Sequence, residues 1–344
     1  MENRQVTQND VAREAGVTRS MVSYVINGTE GRSVAPETRQ RILEVIERLG
    51  YRPNKAAQAL QQGDIAFASK RIGVVLRDSD MFRRPYYAEI LAGIHTAAHE
   101  HNYKVVFIRF FEEFKDPVLF NELIHEEEIG GLILLATDQC FKDDADTELV
   151  RRMKERIKKI VCLDWKFTGL SSVSFNRREA ARKAALYAIK KGYRDLAYAG
   201  EVDDRVSGVE DALNQCGLPD LIAEKRDSFV FGAYDMKSGY CAATQIQKSG
   251  HLPRALICGS DEVAYGVLCH LNELNILVPH QVAVISIDDL EASSYITPPL
   301  TTVSVPKQEM GRKAVELIVE GKALQNGKAY EEALPTRIVE RASC

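Results

Sequence analysis

The sequence lacks any long apolar stretch. Its apolar runs, such as Leu132 to Leu135, are far shorter than the roughly 18 residues of a membrane-spanning helix. The N-terminus is polar and lacks the apolar core of a signal peptide. The seven cysteines form no C-x-x-C pair, which indicates thiols in a reducing compartment rather than a disulfide framework or a zinc site. These absences predict a cytoplasmic protein without a membrane segment.

Signatures of common catalytic sites are also missing. There is no P-loop, no G-x-S-x-G and no G-x-G-x-x-G, so neither a nucleotide cradle nor a nucleophile elbow can be placed. His95 and His99 stand four residues apart, but no Glu follows His95 as the zinc motif H-E-x-x-H requires. A solvated helix surface explains this pair better than a metal site. We therefore predict a protein that is not an enzyme and that binds no cofactor or metal.

What is present is an ordinary globular composition with an uneven charge distribution. The 344 residues are 45% apolar and 27% charged, which predicts two to three domains with a real core. Residues 1–62 carry nine Lys and Arg against seven Asp and Glu, whereas the rest of the chain is acidic. Because phosphate contacts dominate affinity for nucleic acids, a slightly basic segment on an acidic body suggests a local DNA contact.

The first 50 residues show three short helical patterns and no strand pattern. Thr7 and Asp10 form an Asp variant of the capping box, and Gly16 is typical of a helix C-terminus. Thr18 can cap a second helix, and Pro36 suits the first position of a third. Two short helices joined by a glycine-containing turn, followed by a supporting helix, predict a helix-turn-helix unit.

The second of these helices has two different faces. Val22, Val25 and Ile26 form its apolar side. The opposite side offers donors and acceptors short enough to reach base edges in a major groove, namely Arg19, Ser20, Ser23, Tyr24 and Asn27. The alternative, a solvated face in a small all-α domain, remains open on this pattern alone.

From Arg71 onward, apolar runs alternate with amphipathic helical stretches. The runs lie at 72–76, 104–109, 131–136, 159–163, 195–200, 255–259 and 282–287. Helical patterns lie at 86–100, 118–127, 147–158, 178–191, 236–249, 262–274 and 307–320. Such alternation predicts parallel sheet covered by helices. Seven or more strands are many for one sheet, which favours two wound subdomains.

Several segments resemble the LacI/GalR family of bacterial transcription repressors. They are DVAREAGVTRSMVSYVING (10–28), LGYRPNKAAQAL (49–60) and VPHQVAVISIDDLEASSYITPPLTTV (278–303), and shorter matches link them in the same order along nearly the whole chain. The resemblance implies a sequence-specific DNA-binding regulator. It implies an all-α helix-turn-helix headpiece at 1–62, with a hinge helix at about 54–62. It also implies an α/β body at 70–344 that is similar to type I periplasmic binding proteins.

The family pattern divides this body into two Rossmann-like subdomains joined by three crossovers. We expect an N-subdomain at about 70–164 and 291–324, and a C-subdomain at about 165–290 and 325–344. A small effector, expected to be a sugar or sugar derivative, would bind between them. Relatives that form tetramers use a C-terminal coiled coil, and the tail PTRIVERASC has no leucine heptads. The resemblance therefore implies a homodimer on a double-stranded, pseudo-palindromic operator.

The resemblance also implies particular DNA contacts. Leu60 matches the leucine that relatives wedge into the minor groove. Tyr24 stands where relatives carry Arg, so the operator should differ from the usual family sequence. Besides the residues of the second helix, the contacts carried over are Thr7, Thr18, Arg32, Tyr51, Asn54, Lys55, Ala57 and Leu60.

For the effector, the resemblance points to Arg205, Asp261 and Asp288, with Tyr234 stacking on a ring face. Further contacts expected in the cleft are Arg84, Tyr86 and Asn176. Arg83 and Arg84 would suit an anionic ligand such as a sugar phosphate, although solvated loop residues explain them equally. Asp289 is expected to be structural.

Two alternatives remain. The same DNA-binding role could be served by a protein corepressor, with no small effector. The second alternative is a solute-binding protein of a transport system, but such a protein would not carry the headpiece.

Overall fold

The computed structural model describes residues 6–27, 34–49, 70–218, 230–324 and 329–344. The chain divides into two units, Met1–Phe67 and Ala68–Cys344. Each unit is built from its own elements and has its own apolar core.

The first unit contains the three predicted helices, α1 (Gln8–Ala15), α2 (Arg19–Asn27) and α3 (Pro36–Leu49). The predicted capping box is present: the Thr7 side chain accepts from the Asp10 amide, and the Thr7 amide donates to the Asp10 carboxylate at 3.0 Å. Helix α1 ends at Gly16, whose φ of 64° few other residues adopt. The buried core of the unit comprises Val11, Ala12, Ala15, Val22, Val25, Ile42 and Val45.

The second unit is built on two six-stranded sheets. The first contains β1 (Arg71–Leu76), β2 (Lys104–Phe110), β3 (Gly131–Leu135), β4 (Ile160–Leu163), β5 (Ser171–Phe175) and β11 (Glu331–Leu334). Its strands are all parallel, in the order β11-β5-β4-β3-β1-β2. This sheet forms the core of the first half of the body.

The second sheet contains β6 (Leu196–Gly200), β7 (Val230–Gly232), β8 (Ala255–Cys258), β9 (Ala283–Asp288), β10 (Thr301–Ser304) and β12 (Arg337–Val339). The order is β12-β10-β9-β8-β6-β7, and only β12 is antiparallel to its neighbour. The seven predicted apolar runs are all strands of one sheet or the other, which confirms the prediction of an α/β body.

The helices of the body are α4 (Pro85–Glu100), α5 (Pro117–Leu123), α6 (Asp144–Arg156), α7 (Arg177–Lys190), α8 (Asp204–Gln215), α9 (Met236–Lys248), α10 (Asp261–Glu273) and α11 (Lys307–Val319). Helix α5 ends four residues before the predicted limit of 127. Helix α8 was not predicted. Among the described helices, none combines the length and apolarity that crossing a membrane requires.

The chain crosses three times between the halves. It leaves the first sheet at β5 and continues in α7, which packs on β8, β9, β10 and β12. It returns after β10 to α11, which packs on α4, β4 and β5. The last crossing joins β11 to β12.

These crossings correct the expected subdomain boundaries. Residues 171–175 were expected in the C-subdomain, but β5 pairs with β4 in the first sheet. Residues 301–304 were expected in the N-subdomain, but β10 pairs with β9 in the second sheet. Residues 331–334 belong to the first sheet through β5. The error arose because short strands rich in Ser, Thr or Glu carry no apolar run, and pairing partners are not visible in the sequence.

Candidate DNA-contact helix and effector cleft

Helix α2 presents the predicted contact face. Val22 and Val25 are buried in the core of the first unit, whereas Arg19 and Ser20 are exposed, and Ser23 and Tyr24 are half-buried. This division of faces is the one that a helix needs to pack on its own unit while reaching base edges.

Three polar side chains fix the arrangement of α1 and α2. Arg19 donates through Nε to the Gln8 Oε1 atom at 3.5 Å, which links the two helices. Thr18 accepts from the Met21 amide at 3.3 Å at the start of α2. Thr7 and Thr18 therefore have helix-capping roles in this structure. The remaining expected contacts, Arg32, Tyr51, Asn54, Lys55, Ala57 and Leu60, lie outside the described residues with the expected hinge helix, as does the side chain of Asn27.

The second candidate site lies where strands of both sheets of the body end. Asp164 follows β4, Glu201 follows β6, Gly259 follows β8, and Asp288 ends β9. All four line one cavity. Ligands of parallel α/β sheets bind outside the carboxyl ends of the strands, so this is where the topology places a site.

The backbone is strained at the carboxyl ends of three strands of the first and second sheets, β3, β4 and β9. Ala136, Asp164 and Asp288 have φ values of 49°, 67° and 131°, which residues with a Cβ rarely adopt. Strain of this kind persists only where surrounding structure enforces it, and it is concentrated at functional sites. The strained residues support the assignment of this edge as the site.

The cleft has an enclosed part and an open part. The enclosed cavity measures about 50 Å³, which leaves room for a few water molecules. It adjoins an open groove of about 1000 Å³, which shares Gln139, Arg177, Glu201 and Tyr234 with it. Pockets for small ligands usually measure about 300–1,000 Å³. The open groove is therefore large enough for a sugar-sized ligand, whereas the enclosed cavity has room for only one group of it.

Five of the seven residues expected to contact an effector line the enclosed cavity. They are Arg84, Tyr86, Arg205, Tyr234 and Asp288. They come from both halves of the body and from positions as distant as 84 and 288. The structure thus brings together most of the set expected from the family pattern.

Asp261 is a correction, because its carboxylate is used elsewhere. The side chain is fully buried and does not line the cavity. Its two oxygens accept hydrogen bonds from the hydroxyls of Ser286, Ser293 and Thr302 and from the Leu290 amide. A carboxylate with four donors has no capacity left for a ligand, so its role is structural.

Asn176 is the second correction. Its side-chain oxygen accepts from the Glu179 amide at 2.9 Å and caps α7, and the residue is exposed outside the cavity. Asp289, expected to be structural, forms an ion pair with Arg341 at 2.7 Å.

Arg205 is held firmly before any ligand binds. Its Nη2 atom lies 2.6 Å from a Glu201 oxygen and 2.8 Å from an Asp203 oxygen, and Nη1 donates to the Gly259 carbonyl at 2.7 Å. The guanidinium is therefore oriented by its own half of the body.

Arg84 reaches from the first half into the second. Its Nε atom donates to Glu262 at 2.8 Å, and Nη2 donates to the Tyr234 carbonyl at 3.0 Å. The guanidinium carbon lies 3.9 Å from the centre of the Tyr234 ring. Arg83, in contrast, is exposed and pairs with Asp80. Of the two arginines, only Arg84 occupies the cleft.

Sequence reasoning missed several lining residues, including Tyr87, Gln139, Asp164, Arg177 and Glu201. Asp164 and Glu201 directly follow predicted strands, so the rule on carboxyl ends could have found them. Arg177 follows β5, which was not predicted, and it pairs with Asp164 at 2.7 Å.

Three polar groups in the cavity have no partner among the described residues. The hydroxyls of Tyr86 and Tyr234 are buried and form no hydrogen bond of normal geometry there, although Asp164 lies close to the first and Arg77 to the second. The Asp288 side chain is 7% exposed and its carboxyl oxygens receive no hydrogen bond. Burial raises the pKa of the Asp288 carboxyl well above its ordinary value. Buried polar groups without partners cost stability, and a bound ligand would satisfy them. No cluster of metal-ligating side chains occurs in the described parts of the chain.

Comparison with known proteins identifies the class of both units. Residues 7–54 match the lacI family of bacterial regulatory proteins, and residues 185–344 match the periplasmic binding protein-like domain. The HTH-type transcriptional repressor PurR of Vibrio atlanticus is 28% identical over 351 residues, covering 98% of both chains. The PurR repressor of Erwinia tasmaniensis is 29% identical, covering 98% of this chain and 96% of the relative.

Solved structures share the fold over the whole length. The lac repressor dimer bound to operator and the anti-inducer ONPF has a TM-score of 0.74 at 24% identity and covers 99% of both chains. The complex of the transcriptional regulator CelR with cellobiose has a TM-score of 0.68 at 24% identity, covering 99% of this chain and 100% of that one. The fold and the site define a DNA-binding transcriptional regulator with a ligand-binding body. The chain joins a domain that matches the lacI family of bacterial regulatory proteins to one that matches the periplasmic binding protein-like domain.

Proposed function

We propose that this protein acts in the cytoplasm as a homodimeric repressor of transcription on a pseudo-palindromic operator. A small polyhydroxylated molecule in the cleft would change its operator affinity. The observation that carries this proposal is the cavity at the carboxyl ends of both sheets, where Arg205, Asp288 and aromatic side chains converge. The PurR, lac repressor and CelR proteins, whose names describe repression, operator binding and cellobiose binding, support the same reading.

On the DNA side, we propose that Arg19, Ser20 and Tyr24 read base edges. Arg19 and Ser20 are the exposed polar residues of the first turn of α2, and Tyr24 lies one turn further along. The expected hinge contact of Leu60 in the minor groove is part of the same proposal.

A second candidate keeps the operator but replaces the small effector with a protein corepressor. The enclosed space of about 50 Å³ supports it, because this volume does not hold a sugar.

The test combines operator selection with a ligand screen on the full-length protein. Bound sequences are selected from random DNA, and sugars and purines are then screened by thermal shift, since a ligand of the folded state raises the melting temperature. Trp165 is a further reporter: it is the only tryptophan and is buried beside Asp164.

Arg205→Ala should leave operator affinity within about twofold, because Arg205 lies in the body, and should remove the response to ligand. Arg178→Ala is the matched control, since Arg178 is exposed and pairs with Asp211 outside the cavity. A full ligand response in Arg205→Ala would show that the site is elsewhere. If no small molecule changes the melting temperature, the corepressor candidate replaces the proposal.

A further inference from the structure

We propose that the cleft takes a small polyhydroxylated amine, such as an amino sugar, whose ammonium group pairs with Asp288, and that it excludes phosphorylated and carboxylated ligands. This inference rests on the proposed effector function and specifies its ligand class. It argues against the alternative, left open by the sequence, that Arg83 and Arg84 bind an anionic ligand such as a sugar phosphate.

The charges of the cleft favour a cation. The cavity and the groove together are lined by four arginines and by eight Asp or Glu residues, and no lysine or histidine lines either of them. The arginines are Arg77, Arg84, Arg177 and Arg205. A cleft lined mainly by charges of one sign concentrates ligands of the opposite sign.

Each of these arginines already has a carboxylate partner in the protein. Arg77 pairs with Asp78 at 2.7 Å, Arg84 with Glu262 at 2.8 Å, and Arg177 with Asp164 at 2.7 Å. Arg205 pairs with both Asp203 and Glu201. A phosphate or carboxylate ligand would either displace one of these partners or bind the remaining guanidinium donors beside a carboxylate of the same charge. Because Glu262 and Asp164 are buried, the displaced carboxylate would remain as an unpaired charge, which is strongly unfavourable.

Asp288 is the acidic residue of the enclosed cavity that lacks a cation. No salt bridge to it occurs among the described residues, although Asp164 and Glu201 in the same cavity are both paired. The nearest lysine, Lys307, donates to the main-chain carbonyls of Asp288 and Asp289 instead. The buried carboxyl therefore faces the cavity without a direct ion pair, although Lys307, Arg205 and Arg84 are near enough to act on its charge.

The neighbouring hydroxyl of Tyr86 is a second acceptor. It lines the same cavity and is buried close to the Asp164 carboxyl, to which it can only donate, so its oxygen can still accept from a ligand. An ammonium group carries donors only, so it can satisfy Asp288 and Tyr86 together. A neutral hydroxyl can also donate to the Asp288 carboxylate, but only an ammonium group brings the positive charge that neutralises it.

The open groove also contains acidic side chains without a cationic partner. Asp138 and Asp204 line it and form no salt bridge among the described residues, whereas its arginines, Arg77 and Arg177, are both paired. The approach to the cavity is therefore acidic as well, which raises the local concentration of cationic ligands and lowers that of anions.

The test uses the full-length protein and matched sugars at fixed ionic strength. Glucosamine, glucose and glucose 6-phosphate form one set, and galactosamine, galactose and galactose 6-phosphate form a second. Binding is measured by calorimetry. Within at least one set, we expect the amine to bind about tenfold or more tightly than the neutral sugar, as a charge-assisted bond predicts. The phosphate should bind most weakly.

Asp288→Asn should reduce amine affinity about tenfold and neutral-sugar affinity by a smaller factor, because the amide keeps the shape but loses the charge that pairs with the ammonium group. Tyr86→Phe is a second variant that keeps the ring and should also weaken the amine. Asp211→Asn, at an exposed carboxylate outside the cleft, is the control and should change neither affinity.

Tighter binding of a phosphate, failure of both amines to bind, or an unchanged amine preference in Asp288→Asn would each overturn the inference. The effect of each ligand on operator affinity distinguishes these outcomes from failure of the proposed function. A phosphate that binds in the cleft and alters operator affinity would overturn the ligand class alone. If no ligand alters operator affinity, effector control itself is wrong.

Discussion

Asp261 and Asp288 are two buried carboxyls of the same half of the body with opposite surroundings. Asp261 accepts from three hydroxyls and one amide, whereas the Asp288 carboxyl has no donor among the described residues. Burial without partners costs free energy unless a ligand supplies them. The first residue therefore stabilises the fold, and the second is available for binding.

We expect Asp261→Ala to lower the free energy of unfolding by about 3–5 kcal/mol, since it leaves several buried donors without an acceptor. Urea denaturation measures the change. The matched control is Asp204→Ala, because Asp204 is also the first residue of a helix but is exposed. It should cost no more than about 1 kcal/mol. Equal losses in the two variants would contradict the structural role of Asp261.

The sequence could place Asp261 near the site but could not assign its role. Its position at the start of a helix after a strand is typical of both ligand contacts and structural carboxylates. Ser286 and Thr302, which decide between them, lie 25 and 41 residues further along the chain. Asp288 comes directly after a strong apolar run, so its place at the carboxyl edge of a strand follows from the sequence, and its role in binding stays a prediction.

At the level of elements, close helix pairs hold the lining residues in place. Gly93 of α4 faces α11 so closely that a Cβ atom added there would lie 2.0 Å from the Gln308 carbonyl oxygen. The same holds in the other direction, because a Cβ atom added at Gly311 of α11 would lie 2.2 Å from the Ile90 carbonyl oxygen. The contact is between main chains, so no side chain can move aside. Helix α4 begins next to Arg84, and α11 begins at Lys307, which binds the Asp288 carbonyl. The separation of these helices thus helps to position two parts of the cleft.

We expect Gly93→Ala to destabilise the body by about 1–3 kcal/mol through overpacking. The direction of the stability change tests the close packing, because alanine normally stabilises a helix by about 1 kcal/mol relative to glycine. Urea denaturation is again the measurement. Ala92→Ser, at the exposed neighbouring position, should change stability by no more than about 0.5 kcal/mol. A more stable Gly93→Ala variant would show that the two helices can separate without cost.

Elements were predictable where apolar periodicity was strong. The long runs of β1, β3 and β9 and the amphipathic α4 and α11 were all found, but β5, β10 and β11 were not. Strand β5 reads SSVSF, and its serines are buried by pairing with β4 and β11, a long-range contact that no local pattern reveals. The same strands carry the chain between the halves, so the crossovers expected from the family pattern could not be located from periodicity.

At the scale of the whole body, the two halves are joined by three short connections that can act as a hinge. Arg84 and Glu262 lie in opposite halves, and their side chains are only 13% and 7% exposed. If the halves separate, both charged groups return to water. The ion pair and the contact of Arg84 with Tyr234 therefore stabilise the closed arrangement specifically.

This dependence predicts the effect of removing one partner. Arg84→Met leaves Glu262 buried and unpaired in the closed state, at a cost of about 3–5 kcal/mol, but not in the open state, where water solvates it. The equilibrium should shift toward the open arrangement by a similar amount. X-ray scattering of the ligand-free variant should give a larger radius of gyration, and Trp165 emission should change.

Arg83→Met, which removes an exposed ion pair with Asp80, should behave like the original protein. The double variant Arg84→Met/Glu262→Gln removes both charges and should return part of the way to the closed form. If Arg84→Met and Arg83→Met scatter alike, closure does not depend on this pair, and the contacts of Arg177 and Arg205 would have to account for it.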